Sequence, residues 1–167
     1  MPTQSHSTPQ PSPWVIRFSD LALGTLLDVA CGSGRHTLHF AERGLSITAV
    51  DRDISRMGSL RECSNVTALE VDLESKTPWR PGAQSFDAIV VTNYLWRPLL
   101  SDLIVALKPG GVLIYETFAL GNEVFGKPSD PDFLLRPGEL LDAVRPALNV
   151  VSYEHRIIEN PRPAVVQ

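Results

Sequence analysis

Five polar or glycine-rich points recur along the sequence, each directly after a short apolar run. They are the stretch Asp28 to His36, then Asp51, Asp72, Asn93 and Glu116. Ala30-Cys31-Gly32-Ser33-Gly34 turns from an apolar run into a helical pattern. Gly32 and Gly34 permit a tight turn and a close approach of backbone to a ligand. Asp51 follows roughly 20 residues on, the spacing at which a carboxylate takes both hydroxyls of a ribose. A dinucleotide fingerprint would require a third small residue after Gly32 and Gly34, and Thr37 stands there instead. Asp28, just before the turn, would repel a pyrophosphate but suits a cationic amine. The plain alternative, glycines that only make a turn, leaves Asp51 and Asp72 at the next two run ends unexplained.

These points need a scaffold that brings run ends together. Residues 26–30, 47–50, 66–71, 86–91 and 112–115 read as buried strands. Between them, residues 35–43 read as a helix closed by Gly44. Ile54, Met57 and Leu60 repeat at helical spacing, and Leu99, Leu100, Leu103, Ile104 and Leu107 form a clear helical stripe. Lys108-Pro109-Gly110-Gly111 is expected to end that helix and turn into the fifth strand. Residues 74–85, with Pro78, Pro81 and Gly82, are too broken for a long helix, and a long loop covers 118–136. Pro137 is expected as a first helical residue ahead of Leu140, Leu141 and Val144. Residues 150–153 and 164–166 read as an antiparallel pair. Alternating strands and helices predict an α/β fold, a mostly parallel sheet with helices on both faces. Ligands in such a sheet sit beyond the carboxyl ends of the strands, where the five points lie.

The bulk properties narrow the partners. The chain has 167 residues, 43% of them hydrophobic and 20% charged, as in an ordinary single-domain protein. A net charge of -4 gives no advantage on a phosphate backbone, so no nucleic-acid partner is expected. No run approaches the ~20 apolar residues that span a bilayer, so no membrane partner is expected either. Cys31 and Cys63 have no metal-ligand spacing; they point to a reducing, cytoplasmic setting, and no metal is expected. Residues 1–13, rich in Ser, Pro and Gln, read as a disordered tail, with one domain over 14–167.

Leu27-Asp28-Val29-Ala30-Cys31-Gly32-Ser33-Gly34-Arg35-His36 resembles motif I of class I S-adenosylmethionine (SAM) methyltransferases, with Ala30 in place of its first glycine. Ala49-Val50-Asp51, Val71-Asp72-Leu73 and the run from Leu107 to Leu113 resemble the later motifs, in order. Ser12-Pro13-Trp14, Thr92-Asn93-Tyr94-Leu95, Tyr115 to Phe118 and Phe133 to Gly138 are similar to the tellurite-resistance (TehB-like) group. The resemblance implies a Rossmann-like fold with a closing antiparallel hairpin, whose last strand would be barely begun at Gln167. It implies SAM as cofactor and S-adenosylhomocysteine (SAH) as product. Asp28, Ala30, Gly32 and Gly34 would cradle the methionine end; Asp51, with Arg52 beside it, would hold the ribose. Asp72 and Leu73 would bind adenine, and Asn93 would line the mouth.

The resemblance implies methyl transfer to a small-molecule acceptor: a chalcogen oxyanion, a thiol or a carboxylate. The alternative is a SAM-binding sensor or partner subunit without turnover. A hydroxyl or amine acceptor would need a base within reach. Tyr94, Glu116 and His155 are the candidates, with Glu123 in the long loop. His155-Arg156 is similar to a pair in some tellurite-type enzymes; an exposed strand end is the alternative. Trp96 and Arg97 could clamp a substrate or only pack the helix start. His36 is read as facing solvent and Cys31 as packing. Monomer and homodimer both stay open.

Overall fold

The computed structural model describes residues 9–167. Among these, α1 is Pro13–Phe18, β1 Thr25–Val29, α2 Arg35–Ala41, β2 Ser46–Asp51 and β3 Val66–Glu70. Next come β4 Phe86–Thr92, α3 Leu100–Ala106, β5 Leu107–Glu116, α4 Glu139–Val144, β6 Arg156–Ile158 and β7 Ala164–Val166. The first five strands form one parallel sheet in the order β3-β2-β1-β4-β5. The order runs one way from β1 to β3 and the other way from β4 to β5. The reversal leaves a crevice between the carboxyl ends of β1 and β4, the place where such sheets bind ligands.

Side chains on a strand alternate between faces, and that alternation builds two cores. Leu27, Val29, Ile89, Val91 and Tyr115 point to one face, with Leu103 of α3 and Leu140 of α4. Leu26, Ile47, Ala49, Ala88, Val90 and Ile114 point to the other, with Val15 of α1 and Phe40 of α2. Burial on both faces explains why the strands are almost continuously apolar.

Several local expectations need correction. Ile54–Glu62 is a 3-10 helix broken at Gly58, whose φ of 57° and ψ of -134° cannot continue a helix. Leu107 opens β5 rather than ending α3, and Lys108 to Gly111 lie within that strand, at a register irregularity opposite residues 86–88. Pro137 is not helical: Gly138, at φ 76°, caps α4. The C-terminal hairpin exists, but β7 pairs with β6 and not with residues 150–153. Val150 and Val151 are exposed there, so they gain nothing from a strand. Within the 1–13 stretch expected as a tail, Ser12 is buried and caps α1, and Pro13 begins that helix. Residues 1–8 of that expectation lie outside the described residues.

The amino end of the sheet is tied by Asp87. Its Oδ2 accepts from the Thr25 N–H at 2.8 Å and from Lys108 Nζ at 2.9 Å. These bonds, the Thr25 N–H first, hold the carboxyl well below the usual carboxylate range. Gly24 sits against it at φ 64°, and a Cβ there would come within 2.4 Å of Asp87 Oδ2. Gly24→Ala is therefore expected to lower stability by about 1–3 kcal/mol, read by denaturant unfolding. An unchanged midpoint would show that Asp87 can swing away at no cost. Among the described residues, no helix is long and apolar enough to cross a membrane.

Candidate cofactor site

β1 delivers the chain to the crevice, and the next residues turn sharply. Ala30 takes φ 53°, Gly32 φ 58° and Gly34 φ 80° before α2 begins. A Cβ on Gly34 would meet the end of the Leu60 side chain at 2.6 Å, and its φ of 80° favours glycine in any case. A Cβ on Gly32 would meet nothing within 4 Å. Gly32 thus presents bare backbone to open space, as ligand approach requires.

Asp51 closes the turn. Its Oδ2 accepts the Gly32 N–H at 2.9 Å, and its Oδ1 accepts the Asp53 N–H at 3.0 Å. Each carboxylate oxygen keeps a second lone pair for a ligand hydroxyl. Beside it opens a cavity of about 370 Å³. Ala30, Asp51, Arg52, Asp72 and Leu73 line it, with Val71, Glu74, Tyr94 and Phe133. A cavity of about 420 Å³ lies elsewhere, against β5, α1 and α4. Size alone would favour that one; the smaller cavity holds the carboxylates and stands at the strand-order reversal, which makes it the candidate site.

Five of the nine expected cofactor residues therefore line the cavity, and Gly32 joins them through Asp51. Asp28 stands behind the turn, 1% exposed, with the Thr37 hydroxyl donating to its Oδ2 at 2.6 Å. Burial pushes its carboxyl up to about 6, against the pull of the Thr37 bonds. Gly34 is packed under Leu60, and Asn93, at φ 54°, is exposed past the end of β4.

The three catalytic candidates separate. Tyr94 lines the cavity, and its hydroxyl is buried without a hydrogen-bond partner among the described residues. Burial, reinforced by the carboxylates of Glu74, Asp72 and Asp51, pushes this phenol far above its ordinary value. Glu116 is buried but turned to the N-terminal segment, where its Oε1 accepts from Ser12 Oγ at 2.6 Å. His155 is exposed on the approach to β6 and lines neither cavity. Its neighbour Arg156 pairs with Glu154 at 2.7 Å, which also holds Arg17. Glu123 is likewise occupied locally, accepting the Gly121 N–H in the exposed loop.

Two further expectations resolve. His36 does not face solvent: it is 2% exposed and its Nε2 accepts the Ser12 N–H at 3.0 Å. The proton must then sit on Nδ1, which faces Thr92 Oγ1 at 3.3 Å. Burial pulls this imidazole down to about 3, so it stays neutral. Cys31 is buried against Met57, and burial pushes its thiol far up, which leaves a packing role. Val71, Glu74 and Phe133 join the expected residues in the cavity lining. Val71 and Glu74 flank Asp72-Leu73 and were legible by position; Phe133 comes from a distant loop, and no spacing signals it.

Residues 26–111, more than half of the chain, match the family described as a methyltransferase domain. The chain belongs to the class I methyltransferases. No curated protein matches the sequence. Among solved structures it is similar to TehB from Haemophilus influenzae, at 17% identity and a TM-score of 0.78, over 96% of this chain and 62% of that one. It is also similar to the Burkholderia thailandensis 1,6-didemethyltoxoflavin-N1-methyltransferase, determined with 1,6-didemethyltoxoflavin and SAH bound, at 19% identity and a TM-score of 0.63, over 92% of this chain and 73% of that one. A SAM-dependent methyltransferase from Methanosarcina mazei matches at 14% identity and a TM-score of 0.66, over 95% of each chain. At such identities the likeness is one of fold. The methyltransferase spans 62% of the length of TehB.

SAM is the cofactor of this family, and the residues present fit it. Gly32 leaves its backbone uncovered, Asp51 keeps lone pairs toward the cavity, and the Tyr94 hydroxyl lacks a protein partner. A buried polar group without a partner is costly, and a ligand atom would relieve it.

Proposed function

We propose that this methyltransferase transfers a methyl group from SAM to a small-molecule acceptor in the cytoplasm. The observation that carries the reading is the cavity at the strand-order reversal, lined by Asp51, Asp72 and Tyr94. Asp51 binds the ribose hydroxyls, and Asp72 with Leu73 receives the adenine. Ala30 and Gly32 let the methionine end approach the backbone, and Asp28 favours its positive charge from behind the turn.

When bound, SAM supplies an electrophilic methyl on a sulfonium, which an acceptor lone pair takes in line to leave SAH. The protein's part is alignment and exclusion of water. Tyr94 keeps its proton and donates a hydrogen bond; it is not a base. Glu116, the carboxyl candidate at the end of β5, accepts from Ser12 away from the cavity. This favours an acceptor that is already a nucleophile, such as a thiolate, a chalcogen anion or a carboxylate, over an amine or alcohol that must lose a proton.

Calorimetric titration with SAM, SAH and NAD tests the reading. Micromolar binding of the first two and none of NAD is expected, followed by SAH release with a thiol, chalcogen or carboxylate acceptor. Failure to bind either SAM or SAH would overturn the cofactor assignment. Binding without release from any acceptor would leave a SAM-binding protein and overturn the transfer.

A further inference from the structure

Phe133 is the cavity residue least explained by its own surroundings. It ends the short 3-10 turn Pro131–Phe133 and is 45% exposed, so its own packing does not fix it against the site. The fixing comes from Arg97, at the start of the turn that leads into α3. Its Nη1 donates to the Asp132 carbonyl at 2.6 Å, and its Nη2 donates to the Leu134 carbonyl at 2.9 Å. Those carbonyls flank Phe133 on either side. The same guanidinium makes a forked pair with Glu139, Nε to Oε1 at 2.6 Å and Nη2 to Oε2 at 3.1 Å. Glu139 Oε2 in turn accepts the Arg136 N–H at 2.8 Å. One planar cation thus ties α4, the loop and the α3 turn together. A lysine, with a point charge and no fork, cannot span two carbonyls and a carboxylate at once. The neighbouring wall is fixed in a similar way, because the Tyr115 hydroxyl donates to the Tyr94 carbonyl at 2.8 Å.

We propose that Arg97 is a positioning residue for the cofactor: by holding the carbonyls on both sides of Phe133, it keeps that ring in the cavity wall beside Tyr94. Phe133 then packs against the bound nucleoside and excludes water, while Arg97 itself touches no ligand. This rests on the cofactor reading above. It also gives Arg97 a role different from clamping an acceptor, since four of its five N–H donors are taken by the protein.

The test is a double-mutant cycle on SAH affinity by calorimetry, with Arg97→Ala, Phe133→Ala and the pair. Each single change is expected to weaken SAH about tenfold, the size of one aromatic contact with a base. The pair is expected to be no weaker than either single variant, because Arg97 acts only through Phe133. Losses that multiply, or an unchanged affinity in Arg97→Ala, would overturn the proposal. If Arg97→Ala does not fold, Arg97→Lys serves in the same cycle with the same expectation. A Phe133→Trp reporter adds a signature that general destabilisation would not give: its emission should respond to SAH with Arg97 present and lose that response in the folded Arg97→Lys background. If the unaltered protein does not bind SAH, the cofactor reading fails and this inference with it; if it binds and the cycle is additive, only this inference fails.

Discussion

Asp28→Asn is expected to make the protein more stable at pH 7 and less able to hold SAM. The folded carboxyl ionises at about 6 rather than near 3.8, and the largest cause is burial. Between those values the folded state keeps a proton that the unfolded chain has lost, so stability falls as pH rises through the window. Above about pH 6 the whole penalty is present. Asparagine removes the charge and still offers the Thr37 hydroxyl an acceptor. A gain on the order of 1–3 kcal/mol at pH 7 is expected, roughly 2–4 °C in Tm for each kcal/mol in a chain of this size. The gain should vanish below about pH 4, where both states are protonated. Equal gains at pH 4 and pH 7 would sink the explanation. The same charge, in a low-dielectric position behind the turn, favours a cationic ligand. Asp28→Asn is therefore expected to weaken SAM and SAH alike, about tenfold, because both carry the cationic amine of the methionine end. Unchanged affinity for both would place Asp28 in packing alone; with the expected loss, stability and binding trade against each other at one buried carboxylate.

Asp51→Ala should produce the larger loss of affinity. Two charge-assisted bonds to ligand hydroxyls are removed at about 1.5–3 kcal/mol each, so SAM and SAH should weaken at least about 100-fold. Stability should fall by only about 1 kcal/mol, although two backbone donors lose their acceptor, because Asp53 is exposed and the Gly32 side of the turn is open. Asp51→Asn, which keeps one acceptor oxygen, should lie between. Calorimetry and thermal unfolding on the same samples separate the two effects. Unfolding of Asp51→Ala would mean that the carboxylate holds the turn more than it serves a ligand, and intact affinity would remove it from the ribose role.

Much of this architecture is written locally. The alternation of apolar strands with helical stripes, the glycines after β1 and the carboxylates at the ends of β2 and β3 all follow from short-range rules. Period, turn chemistry and spacing depend on neighbours within a few residues, and they place Ala30, Asp51, Arg52, Asp72 and Leu73 at one edge of one sheet. Those residues line one cavity. The same local rules fail where a residue's partner is far along the chain. His36 looks like an exposed helix residue until Ser12 covers it, and Glu116 looks like a free carboxylate at a strand end until the same Ser12 takes it. Arg97 and Phe133 are 36 positions apart in the numbering and meet only because the loop folds back beside α3. The sequence by itself determined the strands, the order of the motifs and the row of polar strand ends, because those depend on local pattern. Tertiary structure alone decided which carboxylates are free, which tautomer His36 holds and which loop residue joins the cavity lining, because burial and hydrogen-bond partners are set by chain segments that spacing cannot relate.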